Sequence, residues 1–266
     1  MSAPILIIGA GKMGTALIRG WVKAGLGPIT AVEPNPSDEL KALGVQVVAS
    51  FEAIPAGPWR AVVVALKPHI LRAEAARLAA IAATGTLMIS IAAGTGTDLL
   101  HRHWGAAATI VRVMPNTPGS IGRGISGLYA APGVAAKDRD FADTLLAAIG
   151  QTVWLEDEGL IDAVTGVSGS GPAYIFALVE AMAAAGEAVG LPKATAAVLA
   201  RATVTGAAAL LDADSRDTAQ LIRDVATPGG TTEAALKVLQ ASDGLPALLT
   251  KAVAAAKARA EELARS

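Results

Sequence analysis

Four apolar residues, Ile5–Ile8, run directly into Gly9-Ala10-Gly11-Lys12-Met13-Gly14, and a helical repeat of Leu17, Ile18, Trp21 and Val22 follows. A buried strand, a glycine turn and a helix in that order open a βαβ unit that binds dinucleotides. Gly9 permits the tight turn, Gly11 lets the backbone approach a pyrophosphate, and Gly14 lets helix and strand pack closely. A second apolar run, Ile29-Thr30-Ala31-Val32, ends at Glu33, about twenty residues beyond the glycines. There a carboxylate accepts from a ribose 2′-hydroxyl and repels a 2′-phosphate, so Glu33 leans the cofactor toward NADH. Asn35 and Ser37 follow as groups able to serve a phosphate, and an ordinary solvated carboxylate is the plainer reading of Glu33.

The pattern continues with short β-branched runs at 45–48, 61–65, 87–91, 109–113, 125–130 and 152–155, separated by helical stretches. Such alternation predicts a parallel α/β sheet, and the continuous apolar run Ala61-Val62-Val63-Val64-Ala65-Leu66 suits a strand covered on both faces. After Glu156-Asp157-Glu158-Gly159 the strand signal stops, and alanine-rich helix runs almost to the end. The expected organisation is a Rossmann dinucleotide-binding domain over 1–157 and an all-helical domain over 158–266. Several of the later helices are apolar on nearly every side, which a lone monomeric bundle cannot bury, so a homodimer with interlocking helical domains is expected. A helix buried within its own monomer has the same periodicity.

With 266 residues, 53% of them hydrophobic and 17% charged, the chain can bury one large core or two modest ones. Its net charge of -1, without a polybasic run, excludes nucleic acid or an anionic membrane surface as the main partner and favours a small molecule. It has no cysteine, which removes disulfides, thiolate nucleophiles and Cys-based metal sites. The first strand begins within a few residues of Met1 and no apolar run reads as a membrane span, so a cytoplasmic protein is expected. The three histidines, His69, His101 and His103, show no third ligand beside them, and no metal site is expected.

In an open α/β sheet, ligands lie beyond the carboxyl ends of the strands, which here carry Ala65-Leu66-Lys67-Pro68, Ile91-Ala92-Ala93-Gly94 and Met114-Pro115-Asn116-Thr117-Pro118. Lys67 is either a phosphate or ribose contact or a solvated loop lysine. Asn116 and Thr117 are either turn formers or polar groups presented to substrate. In Gly166-Val167-Ser168-Gly169-Ser170-Gly171-Pro172, Ser170 suits an N-cap with Pro172 in the first turn, yet capping leaves the run of small residues unexplained. Further on, Thr227-Pro228-Gly229-Gly230-Thr231-Thr232-Glu233 enters a helix. It reads as an anion cradle of unpaired N–H groups and hydroxyls, or as a cap with Thr231 or Thr232 at the N-cap.

Taken in order, these motifs together with Asp162-Ala163-Val164-Thr165 and Ala173-Tyr174 closely resemble pyrroline-5-carboxylate reductases over almost the whole chain. The resemblance implies hydride transfer from NADPH or NADH to the C=N carbon of 1-pyrroline-5-carboxylate, giving L-proline, and a Rossmann domain followed by a helical domain that intertwines in a dimer, often assembled into rings. It implies cofactor contacts at Ile8, Gly9, Ala10, Gly11, Lys12, Met13, Gly14, Glu33, Asn35, Ala65, Leu66, Lys67, Pro68, Ile91, Ala92 and Ala93. Substrate contacts are implied at Ser168, Gly229, Gly230, Thr231, Thr232 and Asn116, with Thr232 hydrogen-bonding the ring nitrogen and backbone N–H groups holding the carboxylate. A carboxylate at Glu33 departs from a family that commonly uses NADPH. Two rivals fit less well. A β-hydroxyacid dehydrogenase needs a lysine early in the second domain, and 173–190 contains none. A catalytically idle nucleotide sensor would not need both motifs intact.

Overall fold

The computed structural model describes residues 3–265. Eight strands form one sheet: β1 (Ile5–Ile8), β2 (Ile29–Val32), β3 (Gln46–Val48), β4 (Ala61–Val64), β5 (Leu87–Ser90), β6 (Thr109–Met114), β7 (Gly124–Ala130) and β8 (Gly150–Trp154). Their order is β3-β2-β1-β4-β5-β6-β7-β8, so the chain reverses direction across the sheet between β1 and β4. That reversal is the crevice at which a doubly wound sheet receives a nucleotide.

All pairs are parallel except β6 with β7, which are antiparallel. The departure from the expected parallel sheet has a local cause. A parallel return needs a crossover of a dozen or more residues, whereas the link from β6 to β7 is a single 3-10 turn, Thr117–Ile121.

Alternate residues of each central strand face opposite layers. Ile5 and Ile7 pack with Leu17, Ile18 and Trp21 of helix Lys12–Lys23 and with Leu145 and Leu146 of helix Ala136–Ala147. Leu6 and Ile8 face Leu71, Leu78, Leu100 and Trp104. The two buried indoles are satisfied, Trp21 Nε1 donating to the Leu145 carbonyl at 2.8 Å and Trp104 Nε1 to that of Ala75 at 2.9 Å. Each indole therefore joins two segments without leaving a polar orphan.

The chain divides into two compact units later than the fading of strand signal at 157 suggests. The first extends through Ser170 and regains the chain from Ala255 onward; the second comprises Gly171–Ala254. The helical turns at 160–170 stay with the sheet because they pack on it: a Cβ at Gly127 of β7 would come within 2.9 Å of Val164.

The second unit is helical, built on Gly171–Ala188, Lys193–Ala213, Thr218–Val225 and Thr231–Leu239. Its large apolar side chains remain exposed: Phe176 is 66% exposed, Val198 68% and Val238 73%. Contrary to the expectation that no run reaches membrane-span length, Leu160–Ala188 and Lys193–Ala213 are long and apolar enough by length and composition. Alanine and glycine carry the first stretch through the 166–172 segment, which is wound as helix instead of breaking it.

Candidate active site

Hydrogen bonds between strand ends align the loops that follow them. Gly9 donates to the Val32 carbonyl at 2.9 Å, Ala65 to that of Ile8 at 2.8 Å, Ile91 to that of Val64 at 3.1 Å, and Glu33 to that of Val48 at 2.9 Å. The expected cofactor segments after β1, β2, β4 and β5 are thereby brought into one row.

The three glycines differ in what holds them. Gly9 has φ +90°, and a Cβ there would lie 2.9 Å from the Ala65 carbonyl oxygen and 3.0 Å from Leu66 Cδ2. A Cβ at Gly14 would collide with the Gly9 carbonyl, whereas one at Gly11 meets nothing within 4 Å. Gly9 and Gly14 thus serve the fold, and Gly11 leaves open space in front of helix Lys12–Lys23, whose N-terminus has no side-chain cap. Unpaired N–H groups of Lys12 and Met13 beside that space are the donor set a pyrophosphate needs, so the residues fit a dinucleotide.

The Glu33 carboxylate is held at the same turn. Its Oε2 accepts the Ala10 N–H at 2.9 Å and its Oε1 accepts the Asn35 N–H at 3.1 Å. The plainer reading, a solvated carboxylate, does not describe it. Ser37 instead caps helix Asp38–Ala42, accepting from Leu40 N at 3.2 Å. Lys67 is exposed at the N-cap of helix Pro68–Glu74, with Pro68 at its first position. Ala92 is buried after β5, between half-buried Ile91 and Ala93. Ile8 shapes the turn from beneath: its side chain is 1% exposed and its carbonyl is taken by Ala65.

Asn116 brackets its loop to two other segments. It is 8% exposed, its Oδ1 accepts Ile125 N–H at 2.9 Å and its Nδ2 donates to the Ser168 carbonyl at 3.2 Å. The 166–172 segment is not the loop expected, and Ser170 is not an N-cap. Thr165–Gly169 is a π-helical turn, closed by Ser170 N donating to the Thr165 carbonyl at 2.8 Å. Ser168 Oγ donates to the Val164 carbonyl at 3.1 Å and Thr165 Oγ1 to that of Ile161 at 2.9 Å, so both hydroxyls bond back to carbonyls one turn earlier, a pattern that bends helices. Such π turns recur at functional sites.

One cluster had no counterpart in the motif reading. Arg112 donates to Glu158 at 2.7 Å, and the same carboxylate accepts Thr97 N–H at 2.6 Å and Thr97 Oγ1 at 2.5 Å. Glu158 thereby caps helix Thr97–Trp104 and neutralises the nearly buried Arg112. Asp162, one turn on, has a buried Oδ1 without a partner, and burial raises its pKa against the lowering effect of Arg112. In the sequence, Glu158 stood out only as part of an acidic domain junction.

In the second unit, the N-cap of helix Thr231–Leu239 is Gly230, so neither Thr231 nor Thr232 is the cap. Gly229 has φ +72°, and a Cβ at Gly230 would lie 2.6 Å from Thr227 Oγ1, so both glycines are needed for the turn. Gly229 donates its N–H to Glu233 Oε2 at 2.6 Å, and Lys237 Nζ lies 3.2 Å from Glu233 Oε1. The Gly229 amide, and then Lys237, hold this carboxyl below the ordinary carboxylate range. Thr231 is exposed, while Thr232 borders an apolar cavity of about 350 Å³ with Leu210, Leu211, Leu221 and Ile222. Among the described residues no group of three or more His, Asp or Glu side chains is placed to hold a metal ion.

Residues 158–263 match the family model for pyrroline-5-carboxylate reductase dimerisation, and residues 4–94 that for NADP oxidoreductase coenzyme F420-dependent. A pyrroline-5-carboxylate reductase of Pseudomonas aeruginosa is 42% identical over 99% of this chain and 98% of its own. The chain belongs to the pyrroline-5-carboxylate reductase family. The structure of the Coxiella burnetii reductase superposes with a TM-score of 0.90 at 36% identity, covering 100% of both chains. That of the Plasmodium falciparum reductase with NADP bound gives 0.83 at 25% identity, covering 98% of both. As a member of this family the chain is a nicotinamide-dependent oxidoreductase that self-associates through its dimerisation domain.

Proposed function

We propose that the chain reduces 1-pyrroline-5-carboxylate to L-proline, the last step of proline biosynthesis. The observation that carries this is the turn at Pro228-Gly229-Gly230, which already holds a carboxylate oxygen on a backbone amide and leads into a helix bearing Thr232. The substrate is itself a small carboxylate whose attached ring carbon is bonded to the ring nitrogen. In this reading the unpaired amides of the helix's first turn, from Thr231 on, hold the substrate carboxylate, Gly229 and Gly230 shape the turn in front of them through bonds to Glu233 and Thr227, and the Thr232 hydroxyl hydrogen-bonds the ring nitrogen. Ser168 is proposed as a further substrate contact, and Asn116 acts through it by fixing the π turn that carries it.

A bound nicotinamide supplies the hydride that adds to the imine carbon. The C=N π pair passes to nitrogen, which is already protonated in the iminium form or, in the neutral imine, takes a proton from the Thr232 hydroxyl or a water, so that the product is the secondary amine. A protonated imine already accepts hydride, so the protein's task is orientation more than acid catalysis. Gly11, Lys12 and Met13 offer amides to the pyrophosphate, Ala65–Pro68 and the 91–93 segment line the same row, and Glu33 with Asn35 receives the adenosine ribose. With its carboxylate fixed at the glycine turn, Glu33 favours NADH at least to parity with NADPH.

The exposed apolar helices of the second unit are covered by a second copy of the chain, not by lipid, and dimers assemble further into a ring. The working division is 1–157 for cofactor and 158–266 for substrate and dimerisation, in a cytoplasmic enzyme. Oxidation of NADH and NADPH is to be followed with pyrroline-5-carboxylate and with its six-membered homologue in parallel. Turnover with the five-membered imine supports the reading; folded protein silent with both imines overturns it.

A further inference from the structure

The final turn of helix Leu245–Arg265 presses on the loop that follows β5. A Cβ at Gly94 would lie 3.1 Å from Ala264 N and from the Leu263 carbonyl carbon, and Gly94 has φ +62°, a conformation that favours glycine. Arg72, on helix Pro68–Glu74 just after the β4 loop, binds across this junction. Its guanidinium donates to the Leu263 carbonyl at 2.6 Å and, at the long end of the range, to the Gly94 carbonyl at 3.4 Å. A cation beside the last carbonyls of a helix is favoured both by hydrogen bonding and by the helix dipole. Closer to the middle of the same helix, Lys257 pairs with Glu261 at 2.5 Å, and both charges act on Asp162.

One guanidinium therefore joins three segments distant in sequence: the helix following the β4 loop, the end of the 91–94 loop and the C-terminal turn. We infer that the C-terminal helical turn, held by Arg72, is a positioning element that pre-sets the β4 and β5 loops for the nicotinamide cofactor. This rests on the assignment of those loops to the cofactor. Arg72 touches no ligand in this scheme and acts through Gly94 and Leu263. If those bonds are missing, the loops must be ordered when cofactor binds, which lowers affinity and leaves the bound geometry intact.

The test is the dissociation constant for NADH and NADPH, measured by calorimetry on the full oligomeric protein, together with Tm and steady-state kinetics. Arg72→Ala, and separately a chain ending at Glu262, should each weaken cofactor binding about three- to tenfold and raise the cofactor KM in step. The turnover number at saturating cofactor and the Tm should stay near the parent values. Arg72→Lys, able to reach one of the two carbonyls, should recover part of the affinity, which a merely structural loss would not show. Gly11→Ala serves as the direct probe of the cofactor site. If Gly11→Ala weakens binding while Arg72→Ala and the shortened chain leave it within twofold of the parent, the positioning role is wrong and the cofactor assignment stands. If Gly11→Ala also leaves binding unchanged, the cofactor assignment itself falls.

Discussion

The Glu233 carboxylate bridges the Gly229 amide at 2.6 Å and Lys237 at 3.2 Å, closing the Pro-Gly-Gly turn onto the first turn of the helix that bears Thr232. The brace sets the turn's shape and occupies the Gly229 amide, leaving the unpaired amides of the helix's first turn for a ligand carboxylate. Removing it should be felt by substrate and not by cofactor. Glu233→Ala is expected to raise the KM for pyrroline-5-carboxylate severalfold with cofactor affinity unchanged, and Glu233→Gln, which keeps an acceptor for Gly229, should lie closer to the parent. Paired kinetics and cofactor calorimetry check both.

Gly11 and Gly14 sit three residues apart and should respond oppositely to the same added methyl. At Gly14 the Cβ meets the Gly9 carbonyl, so Gly14→Ala should lower Tm by several degrees, the signature of overpacking against backbone. At Gly11 it meets nothing, so Gly11→Ala should keep its Tm and lose cofactor affinity, because the methyl fills the pyrophosphate's approach. Thermal melts and binding measurements on the two proteins separate the roles.

Glu33 is fixed at the glycine turn by the Ala10 and Asn35 amides, which in the proposed reading aims its charge at the adenosine ribose. Glu33→Ser should raise the ratio of kcat/KM for NADPH over NADH by about tenfold, equivalent to removing roughly 1.4 kcal/mol of discrimination. The parent should use NADH at least as well as NADPH; a strong NADPH preference in the parent contradicts the assignment.

Thr232 borders the apolar cavity of the second unit and is the hydroxyl assigned to the ring nitrogen. Thr232→Ala should lower kcat by about tenfold or more while leaving cofactor binding intact. Thr232→Ser, which keeps the hydroxyl, should recover most of the rate. Unchanged steady-state rates in the alanine variant remove Thr232 from the mechanism.

Asp162 carries the pH prediction. Burial raises its pKa, so the folded state holds the proton more tightly than the unfolded chain, and the folded state is disfavoured once pH climbs above the unfolded value. Asp162→Asn removes that ionisation. Its Tm should exceed the parent's at neutral pH, with the gap shrinking as pH is lowered through the carboxylate range. Melts across that range check the sign.

Where local spacing determines structure, the sequence was legible. The strand, glycine turn and helix at 5–22 placed the Rossmann crevice, and the apolar runs located every later strand to within a residue or two. What escaped was set by tertiary context. The β6–β7 reversal follows from a short 3-10 link, and the π turn at Thr165–Gly169 is bonded to Asn116, fifty-two residues from Ser168, whose carbonyl accepts from the Asn116 amide. Arg112 pairs with Glu158, forty-six residues away, and Arg72 meets Leu263 across almost two hundred, separations that no periodicity carries. The cap of the cradle helix fell to Gly230 instead of a threonine because the glycine turn already sets the extended backbone an N-cap requires.

The most direct measurement is the stoichiometry of the purified protein's reaction with pyrroline-5-carboxylate and reduced nicotinamide, with L-proline quantified by chiral chromatography against the cofactor consumed. The account predicts one L-proline formed for each nicotinamide oxidised, with the Thr232→Ala protein far slower under the same conditions. Nicotinamide oxidation without proline, or no oxidation by folded protein with either cofactor, would contradict it.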